Sequence, residues 1–182
     1  MKYKKVITLK DGSQCLLQNA APKDAQKVMD SYLITHSETD YLTSYPDERS
    51  LDAEAERIAL QKREASENEI ELCAWIHGEL AGTAGVYAVG NRSKLRHRAS
   101  FGISVEKRFW GRGIGRALTQ ACVECARSAG YAQLELEVVG NNTAAIALYK
   151  SVGFREYGRN PKGFYSRLTG WQELVLMRLE LE

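Results

Sequence analysis

The chain has 182 residues, of which 44% are hydrophobic and 26% charged, with a formal net charge of +2. This is the profile of a soluble globular protein with room for one medium domain and a sizeable core, expected over residues 1–182. No apolar run approaches the roughly 20 residues of a membrane span, and the basic start Met1-Lys2-Tyr3-Lys4-Lys5 leads into no signal-peptide core, so a cytoplasmic protein without a membrane partner is expected.

In chain order, Val6 to Leu9, the turn Asp11-Gly12 and Cys15 to Leu17 read as a strand pair. Pro22-Lys23-Asp24 opens a helix with Ala25, Val28, Met29, Tyr32 and Leu33 at helical spacing. The polar, aromatic-bearing stretch Ser37 to Pro46 reads as a loop. Ser50 is placed to cap a charged helix running to about Ser66. Ile70 to Ile76, the turn His77-Gly78 and Leu80 to Val89 form a hairpin, and Arg96 to Val105 is a further strand. Ile114, Ala117, Leu118, Ala121, Cys122 and Cys125 recur on one face of an amphipathic helix that Gly130 ends. Leu134, Leu136 and Val138 alternate as a strand. A shorter helix runs from about Asn142 to Val152 and stops at Gly153. Phe154 onward and Trp171 to Leu179 supply the last strands, with Pro161 to Gly170 as a loop between them. Strands and helices are mixed, so the fold class is α/β (α+β).

Among the four cysteines only Cys122 and Cys125 form a C-x-x-C, and they fall inside the apolar stripe of a helix with no second ligand pair. They read as buried thiols, and no metal site is expected. From Arg92 to Arg116 eight basic residues face a single Glu106. The segment lacks interleaved aromatics and any nucleic-acid reader motif, so no nucleic-acid partner is expected. A polyanionic small ligand explains why the charge peaks at Arg108-Phe109-Trp110-Gly111-Arg112-Gly113-Ile114-Gly115-Arg116. A glycine-rich turn from strand into helix leaves backbone N–H groups unpaired at the positive end of the helix dipole, where phosphate oxygens bind.

Two phosphate-binding patterns fail here on specific residues. A dinucleotide fold wants G-x-G-x-x-G early in the chain, and a P-loop wants Gly-Lys-Ser/Thr where this chain has Gly115-Arg116-Ala117. A third pattern fits. Trp110-Gly111-Arg112-Gly113-Ile114-Gly115, followed by a helix, a strand and Asn142-Thr143-Ala144-Ala145-Ile146-Ala147-Leu148-Tyr149-Lys150-Ser151-Val152-Gly153-Phe154, resembles motifs A and B of the GCN5-related N-acetyltransferase (GNAT) superfamily. Trp110 stands where the family usually has Gln or Arg.

The resemblance implies a mixed sheet of about seven strands flanked by about four helices, with a splay between the fourth and fifth family strands. It implies acetyl-CoA as donor and direct attack of a primary amine on the thioester. The cofactor would be held by Ile103, Val105, Trp110, Gly111, Arg112, Gly113, Ile114, Gly115, Arg116, Asn142 and Tyr149. Ile103 N–H would polarise the thioester carbonyl, Val105 would pair with pantetheine, and Tyr149 would protonate the departing thiolate. Some relatives carry a glutamate base on the strand before the turn, but the aligned residue here is Ala99. Glu137, with Glu135 on the same strand face, is the substitute carried forward; Glu38, Asp40 or a water chain are others. A lysine-like amine of pKa about 10.4 costs about 4.6 kcal/mol to deprotonate at pH 7, against about 1 kcal/mol for an α-amino group near 7.8. The missing carboxylate therefore favours an acceptor of lower pKa. Glu38, Asp40 and Tyr41 of the early loop and Arg167 of the late one are the acceptor-side candidates. A non-catalytic acyl-CoA-binding module on the same fold is the alternative. A homodimer stays open, because no sequence feature decides it.

Overall fold

The computed structural model describes residues 1–48 and 52–181. Eight strands form one sheet: β1 (Lys4–Thr8), β2 (Gln14–Asn19), β3 (Ile70–Ile76), β4 (Glu79–Ala88), β5 (Arg98–Val105), β6 (Gln133–Val139), β7 (Arg155–Ser166) and β8 (Gly170–Glu180). Their order is β1-β2-β3-β4-β5-β6-β8-β7. Four helices flank it: α1 (Ala25–Glu38), α2 (Ala53–Ala65), α3 (Ile114–Ser128) and α4 (Thr143–Val152). The expected count of about seven strands becomes eight because β1 adds an edge strand, so the splay expected after the fourth family strand falls between β5 and β6 here.

β3 is buried along its whole length, which fits a central strand covered on both faces. Leu72 and Ala74 point to the core under α3, while Cys73 and Trp75 point to the one under α1 and α2, as the two-residue alternation of a strand requires. The α3 stripe buries Ile114, Leu118, Ala121, Cys122 and Cys125. Burial pushes the Cys125 thiol up to about 11 and the Cys122 thiol well above its ordinary value, so both stay neutral and inert.

Three boundaries differ from expectation. The cap expected at Ser50 lies outside the described residues; the side chain of Asp52 caps α2, accepting from Glu54 N and Ala55 N. Pro161 to Ser166 lie in β7 rather than in a loop, and Ser166 to Gly170 make a tight turn. β7 is an edge strand, where a proline without an N–H interrupts no ladder, and the register shifts between Asn160 and Phe164. Gly163 is required there, since a Cβ would stand 2.3 Å from Leu174 Cγ. At the other junction, Ser37 and Glu38 complete the last turn of α1.

Candidate active site

β5 pairs with β6 only at Arg98, Ala99 and Ser100, opposite Gln133, Leu134 and Glu135. Beyond Ser100 the two strands part. On its other side β5 stays paired with β4 as far as Val105. Val89 N donates to Arg98 O and Glu106 N to Ala81 O, so the even-numbered residues of β5 exchange hydrogen bonds with β4. By alternation, the N–H groups of Ile103 and Val105 point away from β4 into the splay. The Val105 carbonyl is already taken by the Trp110 indole, whose Nε1 donates at 2.7 Å.

Below the splay sits the glycine turn. Gly111 and Gly113 are left-handed, with φ of 77° and 97°, which a side chain would strain. Gly113 is the N-cap of α3 and no side chain caps the first turn, so the free N–H groups there face the cleft. Gly115 lets α3 approach α4: a Cβ would lie 3.2 Å from Leu148 Cδ1. Of the arginines read as charging this turn, Arg108 is bound to Glu106 and Glu79, and Arg112 to Asp11 and Ser13. Arg116 is exposed on the rim, joined by Lys10, which follows β1 and lies beside Gly113. Lys10 escaped the sequence reading because the first hairpin reaches this turn only through long-range bonds, from Lys10 N to Arg112 O and from Arg112 to Asp11 and Ser13. Asn142 lines the cleft and spends its Oδ1 on capping α4.

Tyr149 enters from the α4 side, buried edge-on against Phe101 with ring centroids 6.0 Å apart. Burial pushes its hydroxyl up to about 12, so it holds its proton at neutral pH. The cleft that joins these parts has a volume of about 1290 Å³.

Its other half lies on the opposite face of β5, under α1 and α2. There the sequence reading missed a buried polar group. Tyr87 Oη donates to Glu71 Oε2 at 2.5 Å, and Arg63 of α2 stands 3.7 Å from Glu71 and 3.9 Å from Glu56. Burial raises the Glu71 carboxyl, opposed by the Tyr87 hydrogen bond and the Arg63 charge. A glutamate in an otherwise apolar strand was the available signal.

The acceptor candidates separate. Glu137 is exposed on the β6 wall of the cleft, whereas Glu135 is held by Arg98 through both oxygens and kept below the usual carboxylate range. Tyr41 lines the cleft. Glu38 accepts from Lys107 N at 2.7 Å. Asp40 accepts from Ser166, Tyr45, Thr169 and Gln172, and Arg167 lies over Tyr45 and pairs with Asp47 and Glu48. Asp40 and Arg167 thus tie the loop after α1 to the β7–β8 turn across the splay. Arg167, expected on the acceptor side, is paired with carboxylates of this chain and is not among the cleft-lining residues.

A sheet opened by a splay, with a helix N-terminus and a glycine cradle beneath it, defines an α/β fold shaped for an extended, phosphorylated cofactor. The family model described as Acetyltransferase (GNAT) family matches residues 32–154, and the chain belongs to that family. A crystal structure of a GNAT acetyltransferase from Streptococcus pneumoniae superposes with a TM-score of 0.86 at 32% identity, covering 92% of this chain and 99% of that one. The [ribosomal protein bS18]-alanine N-acetyltransferase of Escherichia coli K12 is 36% identical over 81 residues, 44% of this chain and 54% of its own length. The match therefore spans about half of that relative. A phosphinothricin acetyltransferase from Sinorhizobium meliloti, solved in complex with acetyl-CoA, shares the fold at 20% identity with a TM-score of 0.79, over 96% of this chain and 89% of that one. Among the described residues no helix is long and apolar enough to cross a membrane.

Proposed function

We propose that this chain, acting as one domain over residues 1–182, is an acetyl-CoA-dependent N-acetyltransferase with a primary amine as acceptor. The observation that carries the reading is the parting of β5 from β6 beyond Ser100, with Ile103 N–H turned into the gap above the glycine cradle. Acetyl-CoA, when bound, supplies an acetyl thioester that an amine can attack directly. Backbone N–H groups of Arg112, Gly113, Gly115 and Arg116 would hold its pyrophosphate, with Lys10 and Arg116 adding positive charge at the rim. Gly111 and Ile114 shape that cradle, Val105 N–H and Asn142 would bond the cofactor arm, and Trp110 orients Val105. Ile103 N–H is a preorganised donor for the negative charge that develops on the carbonyl oxygen. Tyr149, buried and protonated, gives its proton to the leaving sulfur.

The acceptor is a small amine, an amino acid or a peptide N-terminus; the last is supported by the relative named for acting on alanine of a ribosomal protein. Glu137 adds negative charge at the chamber wall and draws a cationic amine, with Tyr41 covering its apolar part. The test is thiol release from acetyl-CoA across amino acids, polyamines, aminoglycosides and N-terminal peptides, with mass detection of the acetylated product. Turnover with an amine is expected. Tight CoA binding with no turnover of any amine would instead identify an acyl-CoA-binding module.

A further inference from the structure

Resting on the acetyltransferase reading, we propose that Tyr87, backed by Glu71, takes the proton from the acceptor, and that the acceptor is accordingly an alkyl amine that arrives as an ammonium ion. The position that carries a glutamate in some relatives is Ala99, which is fully buried. Glu137 is exposed, and Glu135 is occupied by Arg98. The Tyr87–Glu71 pair supplies the missing function from a neighbouring strand.

The register brings it to the reaction centre. Glu71 pairs with Gly85, and Gly85 with Gly102, so the three lie in a row across β3, β4 and β5 on the face toward α1 and α2. The Tyr87 ring lies flat over Gly85: a Cβ at Gly85 would stand 2.1 Å from the phenol oxygen. Only a glycine at position 85 lets Tyr87 reach Glu71. Gly102 has nothing within 4 Å of where its Cβ would be, so its upper surface is open cleft. Gly85 and Gly102 form a hydrogen-bonded pair, whose Cα atoms stand about 5.5 Å apart. The Tyr87 hydroxyl over Gly85 is thus more than 4 Å from the Cβ position of Gly102, which leaves room between them for an amine nitrogen within hydrogen-bond reach of the hydroxyl, about 2.6–3.2 Å. It also adjoins Ile103, whose N–H awaits the carbonyl oxygen. Tyr149 stands on the opposite face of β5 against Phe101, so the two tyrosines flank the splay, one for the nitrogen and one for the sulfur.

The proton account closes. One ammonium proton passes to Tyr87 Oη as the phenolic proton of Tyr87 passes to the Glu71 carboxylate. The freed lone pair bonds to the carbonyl carbon, and the carbon–sulfur bond breaks with its electrons on sulfur. Tyr149 gives its proton to that sulfur and recovers the second excess proton from nitrogen. Glu71 returns its proton to water, and Tyr87 is restored. The groups facing the pair are Arg63 and Glu56 from α2, Cys73 on β3 beside Glu71, and Cys122 of α3 behind the sheet; His36 and Tyr32 of α1 line the same chamber. Arg63 lies 5.4 Å from the centre of the Tyr87 ring and 3.7 Å from Glu71, where its charge opposes the upward push of burial on the Glu71 carboxyl.

The test compares wild type, Tyr87→Phe, Glu71→Gln and Glu137→Gln, each checked for a wild-type melt and acetyl-CoA affinity. Acceptors are alkyl amines (Nα-acetyl-lysine amide, 1,4-diaminobutane, 2-phenylethylamine) and α-amino compounds (alanine amide, an alanyl peptide). Tyr87→Phe should lower kcat/KM for alkyl amines about 100-fold at pH 7, and the deficit should shrink as pH rises toward the amine pKa of about 10.4. Glu71→Gln should weaken calorimetric binding of 2-phenylethylamine to the unacetylated protein–CoA complex about tenfold, a readout that needs no turnover. Should Glu71→Gln fail to fold, Tyr87→Phe decides alone. A loss in Tyr87→Phe that is the same at every pH, no loss at all, or a pH-dependent loss confined to Glu137→Gln overturns the proposal. If the wild type acetylates none of these amines, the acetyltransferase reading falls first and the proposal with it.

Discussion

Tyr149 and Tyr87 are the same side chain in contrasting surroundings, and the opposite roles proposed for them rest on that contrast. Tyr149 packs against the rings of Phe101 and Phe154, and its hydroxyl rises to about 12 through burial. Burial alone holds that proton in place, which suits the donor role proposed for it. Tyr87 has a carboxylate at 2.5 Å to receive its proton, so it can pass one on. Tyr149→Phe removes the donor while keeping the ring that packs on Phe101. It should lower kcat about 100-fold and leave acetyl-CoA affinity unchanged, which stopped-flow turnover and calorimetry resolve separately. An unchanged kcat would show that another group protonates the sulfur. Tyr149 was legible in the sequence because a helical motif fixes its spacing from Asn142 and Gly153. The Tyr87–Glu71 pair was not, since it depends on a cross-strand register and on the missing side chain of Gly85.

At the scale of elements, the glycine turn and the helix α3 that it opens follow from local rules. Left-handed glycines, an N-terminus without a side-chain cap and an apolar stripe at helical spacing are all written within about fifteen residues. The Asp40 tie is different: its partner Ser166 lies 126 residues away, and nothing local announces it. Asp40 receives hydrogen bonds from Ser166, Tyr45, Thr169 and Gln172, with Ser166 the strongest influence holding its carboxyl below the ordinary range. A carboxyl lowered in the folded state contributes stability above the ordinary pKa of about 3.9 and loses it as pH falls through the lowered value. Asp40→Asn should therefore cost about 1–2 kcal/mol at neutral pH, discounted for partial exposure. Urea melts should show that gap closing as pH drops below about 4. The variant should also raise KM for the acceptor more than for acetyl-CoA, because the tie spans the acceptor end of the cleft. A gap that persisted at acid pH would mean that Asp40 stabilises the tie through bonds that do not depend on its charge.

The whole molecule is two half-sheets joined at a narrow seam. β1 to β5 form one and β6 to β8 the other, and the seam consists of the short β5–β6 ladder, the crossing helix α3 and the Asp40–Arg167 tie. Such a seam leaves backbone N–H groups of Ile103 and Val105 without strand partners, which a folded protein tolerates where a ligand or water serves them. A cofactor arm lying in the splay would act as an inserted strand and join the halves directly. Acetyl-CoA at one hundred times its Kd should then stabilise the fold by about 2.7 kcal/mol, a rise of about 5–10 °C in Tm for a chain of this size. Binding at the cradle alone would give the same thermodynamic shift, so the melt does not distinguish the two arrangements. Amide exchange does. Insertion predicts that protection rises most at residues 101–105 and 136–139, whereas protection confined to residues 111–116 would mean that the phosphates bind but the arm does not enter the splay. In that case Ile103 and both tyrosines would lose the substrate they are arranged around.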